Sequence, residues 1–533
     1  MSAAHATNYE ALEAPFVDRY GQYAHEDWPG KVHDDADIAD AKTAEDAWLA
    51  ANGGGPVAGI DRFGVWASGP QLEVSGHFRT EKIDGRWWLV DPDGHLFFSY
   101  GVNVVRLTCG TGVEFRERFF EWLPEKDDPV FGGFHWRAES RPPRGFYADP
   151  GRVPYGTYDF GYANARRKYG PDWQAVTIER IVVRMRAWGL NTIGNWSDPE
   201  ICVLRKLPYT ASFATRGPKI EGSDGWLGKM VDPFAPEFAE SARLGAENLA
   251  KRSGEDPWCL GWFVDNELNW GEDARELGRA ILCSPASQPA KAEFRRLMEE
   301  KYGDIGSLDA AWGTNYGTWD AFLAADKVPD ESRCGADLEL MHRAVARKYY
   351  ATVRDAVKAI APHILYLGSR IAGRAADSIY EECARFCDVV SVNIYKREPM
   401  QELPPAAEDR PILIGEFHFC ARDRGLRGGG LVTVRDQDER AGCYRDYVNA
   451  CIDSPNIVGA HWFQWMDEPL TGRGDGEDFQ CGLVDVADAP YPETIEAIRS
   501  VAARMYSPFC APVSNASIKN PSNVSILTPK TKE

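Results

Sequence analysis

The sequence has few basic residues for its size and no long apolar run. Its 533 residues include 60 Lys and Arg against 80 Asp and Glu, a formal net charge of -20 at pH 7. This charge argues against nucleic acid and anionic membranes as partners, and mildly against highly sulfated polymers unless basic residues cluster locally. No stretch approaches the roughly 20 apolar residues that a membrane-spanning helix needs. The composition therefore predicts neither a nucleic-acid-binding nor a membrane protein.

Metal-ligand spacing and a secretory leader are also missing from the sequence. The 10 His show no paired-ligand spacing, and the 12 Cys are scattered through predicted strands and helices. Free buried thiols are typical of a reducing compartment. The first fifteen residues, MSAAHATNYEALEAP, have neither the basic nor the apolar region of a signal peptide. We therefore expect no metal, no cofactor and a cytoplasmic location, with a secreted or periplasmic location open if a signal was removed. The oligomeric state is not indicated.

Apolar and aromatic residues, in contrast, are plentiful. Hydrophobic residues make up 44% of the chain and aromatic residues 12%, which is enough for a large core and suits stacking on sugars. One helix is predicted near 41–51, and a hairpin is predicted at Asp93 and Gly94. We divide the chain into an N-terminal arm (1–60), a small β-layer (61–95), a barrel (96–506) and a C-terminal tail (507–533) that is predicted to be disordered or draped on the surface.

Short apolar segments alternate with amphipathic helices after the β-layer. In one such helix Ile178, Ile181 and Met185 share a face. Eightfold alternation of strand and helix is the pattern of a (β/α)8 TIM barrel, an α/β fold. The predicted strands are 96–103, 191–196, 208–213, 259–266, 364–369, 388–395, 412–416 and 457–462.

Two connections in this barrel are much longer than usual and rich in aromatic residues. They follow strand one (104–177) and strand four (268–337). Long loops in compact domains are often functional. Both leave the carboxyl end of a strand, so we expect both insertions to wall the cleft, and a self-packed lobe is the alternative for each.

Two of the predicted strands end on a glutamate. CLGWFVDNELNW (259–270) runs from apolar residues into Asp-Asn-Glu at Glu267, and PILIGEFHF (411–419) contains Glu416. In a barrel the carboxyl ends of the strands form the mouth where the chemistry takes place. A retaining glycosidase needs a proton donor and a nucleophilic carboxylate about 5 Å apart. We therefore predict Glu267 as the acid/base and Glu416 as the nucleophile.

These two roles make opposite demands on the two carboxyl groups. Glu267 must hold a proton at rest, so we expect burial and the charge of Glu416 to raise its pKa. Glu416 must stay ionised, and Arg370 or Tyr395 is expected to donate a hydrogen bond to it.

Further residues at predicted strand ends are candidates for binding sugar. Amide side chains both donate and accept hydrogen bonds, which matches vicinal hydroxyls, and indole rings offer flat apolar faces to a pyranose. His418 lies two residues after Glu416, on the same side of the strand. The predicted substrate-binding residues are Asn103, Asn195, Asn266, Arg370, Asn393, Tyr395, His418, Trp462, Gln464 and Trp465.

The motifs around these residues resemble a known enzyme family. GHFRTEKIDGRWWLVDPDGHLFFSYGVN, WFVDNELNWG, VVSVNIYKREP, PILIGEFHF and IVGAHWFQWMDEPLTGRGDGEDFQCGLVDV are similar to the β-agarases of glycoside hydrolase family 50. The resemblance covers roughly residues 70–505. It implies retaining hydrolysis of β-1,4-galactosidic bonds in agarose or its oligosaccharides, with Glu267 and Glu416 in the roles given above.

Other activities stay open at this point. The segment KYGDIGSLDAAWGTNYGTWDAF also resembles an insertion in family 42 β-galactosidases, so β-galactosidase and carrageenan-oligosaccharide hydrolase are alternatives. A non-catalytic galactan-binding barrel is expected to lose one of the two glutamates, and both are present. The acidic residues Asp475, Glu477 and Asp478 form either a solvated turn or a site for a cation such as calcium.

The predicted insertions also bear on the mode of attack. Walls on two sides of a barrel mouth turn an open groove into a tunnel or pocket, which admits a chain end more readily than a chain middle. We therefore predict an exo-acting enzyme that releases a mono- or disaccharide.

Overall fold

The computed structural model describes residues 7–225, 228–373, 375–407 and 409–506. The predicted C-terminal tail, 507–533, lies outside the described residues. Among the helices that are described, none is long and apolar enough to cross a membrane.

The strands form three sheets. Their bounds are β1 Arg79–Ile83, β2 Arg86–Val90, β3 Leu96–Phe97, β4 Ser99–Val102, β5 Gly110–Gly112, β6 His135–Ala138, β7 Tyr155–Asp159, β8 Thr192–Ile193, β9 Tyr209–Phe213, β10 Cys259–Val264, β11 Leu365–Tyr366, β12 Ile371–Ala372, β13 Val390–Asn393, β14 Ile412–Phe417 and β15 Ile457–Trp462.

The largest sheet is a closed parallel barrel. Its order is β11-β10-β9-β8-β4-β15-β14-β13-β12, and β15 pairs in parallel with β4. The two end strands, β11 and β12, are consecutive pieces of one chain segment, with β11 paired to β10 and β12 paired to β13. They are the two halves of the fifth barrel strand, so the sheet has no free edge. The predicted (β/α)8 barrel is confirmed.

Thirteen α-helices are found in the described part of the chain, and those that alternate with barrel strands cover the barrel. Their bounds are α1 Asp35–Asn52, α2 Phe160–Tyr169, α3 Trp173–Trp188, α4 Pro199–Cys202, α5 Pro236–Ser253, α6 Glu276–Leu282, α7 Pro289–Tyr302, α8 Ile305–Trp312, α9 Trp319–Ala324, α10 Glu331–Ile360, α11 Asp377–Phe386, α12 Gln437–Asp453 and α13 Pro492–Arg504. The 30 residues of α10 bury one long apolar face against the barrel.

The small β-layer is the antiparallel sheet β1-β2-β3. The predicted hairpin turn lies between β2 and β3, where Val90 pairs with Leu96. The layer is attached to the amino end of the last barrel strand, because the Trp87 amide donates to the Pro455 carbonyl (2.7 Å) just before β15. It therefore covers the face of the barrel opposite the strand ends that carry Glu267 and Glu416.

The two long insertions differ from each other. The strand-one insertion contains its own antiparallel sheet, β5-β7-β6, and reaches over the barrel mouth. The strand-four insertion forms α6 to α9, where Trp312, Tyr316 and Trp319 pack around Phe322 with ring centroids 5.7 to 6.0 Å apart. The expectation that both insertions wall the cleft holds for only a small part of the second: its first residues, Leu268 and Asn269, line a cavity next to Glu267, and its aromatic residues do not. Its aromatic residues bury one another and form a self-packed lobe.

A buried group of charges joins the N-terminal arm to the barrel. Arg184 of α3 donates to both oxygens of Glu45 in α1 (2.6 and 2.9 Å) and is paired with Asp488. Lys168 of α2 lies 3.3 Å from the same Asp488. Arg184, Lys168 and Asp488 are almost completely shielded from solvent. These ion pairs fix α1 against the barrel helices, and α1 is the one α-helix in the described part of the arm, 7–60.

We expect Asp488→Asn to destabilise the protein by about 3 to 5 kcal/mol, because it leaves two buried cations with only one carboxylate. Asn adopts the left-handed backbone of Asp488 (φ 59°) readily, so the change isolates the charge. Urea unfolding followed by circular dichroism measures the effect. The matched control is Asp46→Asn, which removes an exposed pair with Lys42 and Arg180 and should cost about 1 kcal/mol or less. Equal effects of the two substitutions would contradict a stabilising buried cluster.

Candidate active site

Glu267 and Glu416 line one cavity at the barrel mouth, with a volume of about 520 Å³. Glu267 lies three residues after the end of β10, and Glu416 lies within the last residues of β14. The strand-one insertion forms one wall of this cavity, and the segment 463–479 after β15 forms the other. A larger depression of about 930 Å³ lies beside α5, but neither glutamate reaches it. We call the cavity that contains both glutamates the glutamate cavity.

Two donors hold the Glu416 carboxylate. Arg370, which is completely buried, donates from Nη2 to Oε1 of Glu416 (2.6 Å), and the Tyr395 hydroxyl donates to Oε2. Both residues were predicted as possible donors, and both make the bond. Charge-assisted hydrogen bonds of this kind orient a carboxylate and suit a nucleophile. The role of Glu416 as nucleophile stays a prediction that this geometry favours.

The other glutamate is held differently. Nδ2 of Asn393 donates to Oε1 of Glu267 (2.8 Å). Burial raises the pKa of Glu267 to about 7, with the negative charge of Glu416 as the second cause, while Asn393 and Arg370 act in the opposite direction. This is the direction that the sequence predicts. A carboxyl group that keeps its proton near neutral pH can act as a general acid.

Backbone strain is concentrated at the carboxyl ends of the barrel strands. Five non-glycine residues just after barrel strands have φ between 50° and 61°. They are Val104 after β4, Trp196 after β8, Asp265 and Glu267 after β10, and Arg370 after β11. Non-glycine residues rarely adopt this conformation, which costs roughly 1 to 3 kcal/mol each and is typical of functional sites. The strain turns the chain sharply at the mouth and presents Glu267 and Trp196 to the cavity.

Hydrogen bonds from two elements hold the strained turn before Glu267 in place. The half-buried carboxylate of Asp265 accepts from the amide (2.7 Å) and hydroxyl (2.6 Å) of Thr215 and from the hydroxyl of Tyr349 (2.6 Å). Asp265 therefore links the ends of β9 and β10 to α10. The geometry of Glu267 depends on this bracing.

Five predicted sugar-binding residues lie in the core instead: Asn103, Arg370, Asn393, Trp462 and Trp465. Trp462 and Trp465 are 0% exposed: Trp462 packs on Tyr444 of α12, and Trp465 stacks on Trp188 of α3. Their predicted stacking on sugar is wrong, because both rings point outward to the helix layer rather than into the mouth. Asn103 is also 0% exposed.

Asn103 is committed to the barrel backbone. Its Nδ2 donates to the carbonyl of Gly415 (2.9 Å), and its Oδ1 accepts from the amide of Asn195 (2.9 Å). It ties three strands together and has no group left for a hydroxyl, so its predicted sugar contact is wrong. Asn393 is similarly buried and holds Glu267. Its predicted direct contact with sugar is replaced by a positioning role.

Asn266, Tyr395, His418 and Gln464 line the glutamate cavity as predicted for sugar contacts, which stay predictions. Oδ1 of Asn266 accepts from Nε of Arg370 (2.8 Å). His418 packs on Tyr395, with ring centroids 4.6 Å apart, and its Nε2 accepts from the Leu431 amide (3.0 Å). The accepting nitrogen carries no proton, so the proton of neutral His418 is on Nδ1.

A second cavity of about 420 Å³ lies beside the first and shares Trp196, Asn266 and Glu267 with it. Asn195, Lys219 and Met230 belong to this second cavity only. Glu267 therefore stands between two cavities, with Glu416 in only one of them. We call this neighbour the second cavity.

Sequence reasoning missed several residues of the cavity walls. Trp196 and Trp136 are 39% and 50% exposed and line the glutamate cavity, one from a strand end and one from the strand-one insertion. Trp196 directly follows the predicted Asn195, so its position at a strand end was a usable signal. Trp136 lies in a long insertion, where local sequence gives no indication of which aromatic residue faces the cavity.

The acidic residues 475–478 are neither a solvated turn nor an open cation site. Asp475 and Glu477 are paired with Arg473, and Glu477 is also paired with Arg144 of the strand-one insertion. Asp478 accepts hydrogen bonds from Thr7 (2.7 Å) and Tyr9. Both earlier alternatives are wrong, because cations and hydroxyls of the protein itself occupy these carboxylates.

A closed (β/α)8 barrel with paired glutamates at the ends of its fourth and seventh strands is the arrangement typical of the retaining glycosidases. The family model for the β-galactosidases of glycoside hydrolase family 42 matches residues 229–411. Beta-agarase B of Vibrio sp. (strain JT0107) is 34% identical over 94% of this chain. The chain spans 55% of that relative's own length.

Solved structures give the same result over the whole fold. An exo-beta-agarase superimposes with a TM-score of 0.86 at 33% identity, covering 93% of this chain and 73% of that one. PfGH50B superimposes with a TM-score of 0.85 at 34% identity, covering 93% of this chain and 75% of that one. The chain belongs to glycoside hydrolase family 50.

The hydrogen bond from Asn393 to Glu267 should affect how kcat/KM depends on pH. The protonated acid is lost as pH rises through the pKa of Glu267, about 7, so kcat/KM should fall above that pH. Asn393→Ala removes a bond that favours the ionised form, so this pKa should rise and the alkaline limb should move to higher pH. Initial rates at pH values on both sides of that pKa measure the shift. Asn248→Ala, on the exposed side of α5, is the control.

An alkaline limb of Asn393→Ala that stays in place or moves to lower pH would contradict this assignment.

Proposed function

We propose that this protein is a retaining glycoside hydrolase that cleaves β-1,4-galactosidic bonds in agarose or agaro-oligosaccharides. The observation that carries the proposal is the pair of glutamates in one cavity, one held by Arg370 and Tyr395 and the other with a raised pKa. Membership of family 50 and the agarases among its relatives support the galactan substrate.

The residues suit a double displacement. Glu416 attacks the anomeric carbon while Glu267 gives its proton to the leaving oxygen, and a covalent glycosyl-enzyme forms. Glu267, now ionised, takes a proton from a water molecule that attacks the same carbon, and the sugar leaves with its original configuration. As negative charge leaves Glu416 in the first step and returns in the second, Arg370 and Tyr395 stay within hydrogen-bond distance of its oxygens.

The two cavities suit the two sides of the scissile bond. The sugar that is attacked must lie against Glu416, which is in the glutamate cavity only. The leaving sugar must lie on the far side of the proton donor, and the second cavity is there. We therefore assign the glutamate cavity to the glycone and the second cavity to the leaving group.

An exo mode of attack is supported by a different contact from the one first expected. The strand-four insertion does not cover the mouth, but the strand-one insertion and the segment after β15 meet across the glutamate cavity. Nε of Arg144 donates to the Asp475 carbonyl (3.2 Å), and Arg144 is paired with Glu477. A bridge between the two walls limits how far a chain extends past Glu416, so we infer release of a mono- or disaccharide from a chain end.

A β-galactosidase that acts on short galactosides is the second candidate, and the match of residues 229–411 to the family 42 model favours it. A product profile on agarose, neoagaro-oligosaccharides, carrageenan oligosaccharides and nitrophenyl β-galactoside separates the two. Turnover of nitrophenyl β-galactoside alone would replace the agarase proposal with the galactosidase.

Glu267→Gln and Glu416→Gln should each lower kcat by roughly 10³-fold or more with the fold retained, because each removes one of the two carboxylates that carry the reaction. Rates on neoagaro-oligosaccharides and circular dichroism spectra measure the two effects. Glu237→Gln, an exposed glutamate of α5, is the control and should keep the wild-type rate. A near wild-type rate in either cavity variant would show that its glutamate is not catalytic.

Azide should restore turnover to Glu416→Gly. Without the nucleophile, azide attacks the anomeric carbon from the side that Glu416 occupied and gives the glycosyl azide of inverted configuration. Nuclear magnetic resonance of the product decides the configuration. A glycosyl azide that keeps the configuration of the substrate would instead identify Glu416 as the acid/base.

An exo enzyme should give one small product from agarose in the first minutes, with little early loss of viscosity. Arg144→Gln weakens the bridge between the cavity walls, so longer products should appear earlier than with the wild type. Arg141→Gln, an exposed arginine of the same insertion, is the matched control. Time-resolved chromatography measures both. A ladder of intermediate oligosaccharides from the wild-type enzyme at early times would rule out exo attack.

A further inference from the structure

A second group of convergent polar side chains lies at the opposite end of the barrel from the glutamates. It consists of Asp61, Asp91 and His95, which we call the floor cluster. Asp61 comes from the N-terminal segment, where Ile60 bridges Trp66, and the other two residues flank the turn between β2 and β3. One ligand atom of each residue lies within 4.8 Å of the other two. Nδ1 of His95 is 3.0 Å from Asp61 Oδ2 and 3.6 Å from Asp91 Oδ2.

The backbone presents these atoms to one another. Oδ1 of Asp61 accepts from the amides of Phe63 (2.8 Å) and Val65 (3.1 Å). Oδ1 of Asp91 accepts from the amides of Asp93 (2.9 Å) and His95 (2.8 Å). Each aspartate therefore uses one oxygen to fix its own loop and directs the other into the cluster. The geometry is set before any ligand arrives.

The inward oxygen of Asp91 faces only the other two members of the floor cluster, with Nδ1 of His95 at 3.6 Å. The side chain is completely buried, and within the described chain Oδ2 accepts no hydrogen bond. Among the same residues, no lysine or arginine lies in ion-pair contact with Asp61 or Asp91. The nearby Arg62 donates from Nε and Nη2 to the two oxygens of Asp93 instead (2.8 Å each). A buried carboxylate oxygen without a donor or a cation is strongly unfavourable.

The hydroxyl of Tyr506 lies beside the cluster. It approaches the backbone of Phe98 and is near enough to Asp61 and Asp91 to interact with their charges. Its ring stacks near Trp66 and Trp88, with centroids 6.2 and 6.3 Å away.

We propose that the floor cluster binds one divalent transition-metal ion, Zn²⁺ or Mn²⁺, as a structural site. Two carboxylate oxygens and one imidazole nitrogen are ligands that both ions accept, with bonds of about 2.0 to 2.2 Å. Ligand atoms 3.0 and 3.6 Å apart can share an ion at such distances. Calcium is bound by oxygen ligands, so the imidazole nitrogen of His95 disfavours it. The charge of the ion balances the two aspartates.

The position of the cluster assigns the ion a role in stability and not in hydrolysis. The β-layer lies on the face of the barrel opposite Glu267 and Glu416. An ion held between Asp61 and the β2–β3 turn ties the N-terminal segment to the barrel floor. Metal removal should therefore lower thermal stability and leave kcat at low temperature unchanged.

The test uses the full chain after EDTA treatment and dialysis. Titration with MnCl₂, followed by electron paramagnetic resonance, should show one saturable ion per chain, and ZnCl₂ should displace it. Saturating MnCl₂ should raise Tm by about 2 to 5 °C, the effect of a ligand at roughly 100 times its Kd on a chain of this size. Absence of saturable binding of both ions, or binding without any rise in Tm, would overturn the proposal.

Variants locate the ion. Asp91→Asn and His95→Gln should each weaken Mn²⁺ binding by at least tenfold and abolish the rise in Tm. His77→Gln is the matched control, because His77 lies in the same β-layer next to His363 (5.1 Å between rings) and outside the cluster. If Asp91→Asn fails to fold, the partly exposed His95→Gln decides. Loss of binding in His77→Gln, or retention in His95→Gln, would place the ion elsewhere and overturn the assignment.

Discussion

The ion pair between Arg370 and Glu416 is the interaction on which the rest of the site depends. The guanidinium is completely buried at the broken fifth strand and bonds Glu416, the carbonyl of Gly415 and the side chain of Asn266. Burying this charge costs free energy, which the attraction to Glu416 and these hydrogen bonds from Nε and Nη2 offset. The pair therefore fixes strands four, five and seven relative to one another.

The same arrangement sets the two glutamates apart electrostatically. Glu416 accepts hydrogen bonds from the guanidinium of Arg370 and the hydroxyl of Tyr395. Glu267 accepts one from the side-chain amide of Asn393 and lies near the negative charge of Glu416. Two identical side chains thus have different surroundings, and those of Glu267 raise its pKa to about 7, as an acid/base requires. The strained turns at the strand ends are the cost of bringing both carboxyl groups to one cavity.

The two ends of the barrel have different roles, the candidate active site at the mouth and stabilising contacts at the floor. The mouth contains the strained turns, the glutamates and the two cavities. The floor is covered by the β-layer and contains the floor cluster, and the arm is joined to the helix layer by the buried charges around Arg184. The β-layer and the buried charges around Arg184 therefore stabilise the barrel, and the stable barrel holds the geometry of the mouth, as is usual for barrel enzymes.

Prediction succeeded where the signal was local and failed where it was not. The eight apolar segments, the turn at Asp93 and the glutamates after strands four and seven follow from period and residue type. The orientation of Trp462 did not follow, because its ring turns to Tyr444 on α12 although the residue ends a strand. Asn103 was recognised as a strand-end amide, but its partners come from segments more than 90 and 300 residues away along the chain.

The sequence by itself determined the barrel, the pair of glutamates and the family, because apolar periodicity and motif identity are properties of short segments. Only the tertiary structure decided which aromatic residues face the cavity, which insertion walls it, and that Arg144 bridges to Glu477. It also brought Asp61 to Asp91 and His95. These outcomes depend on how distant segments meet after the barrel closes, since hydrogen bonds and ion pairs between them have no signature in local spacing.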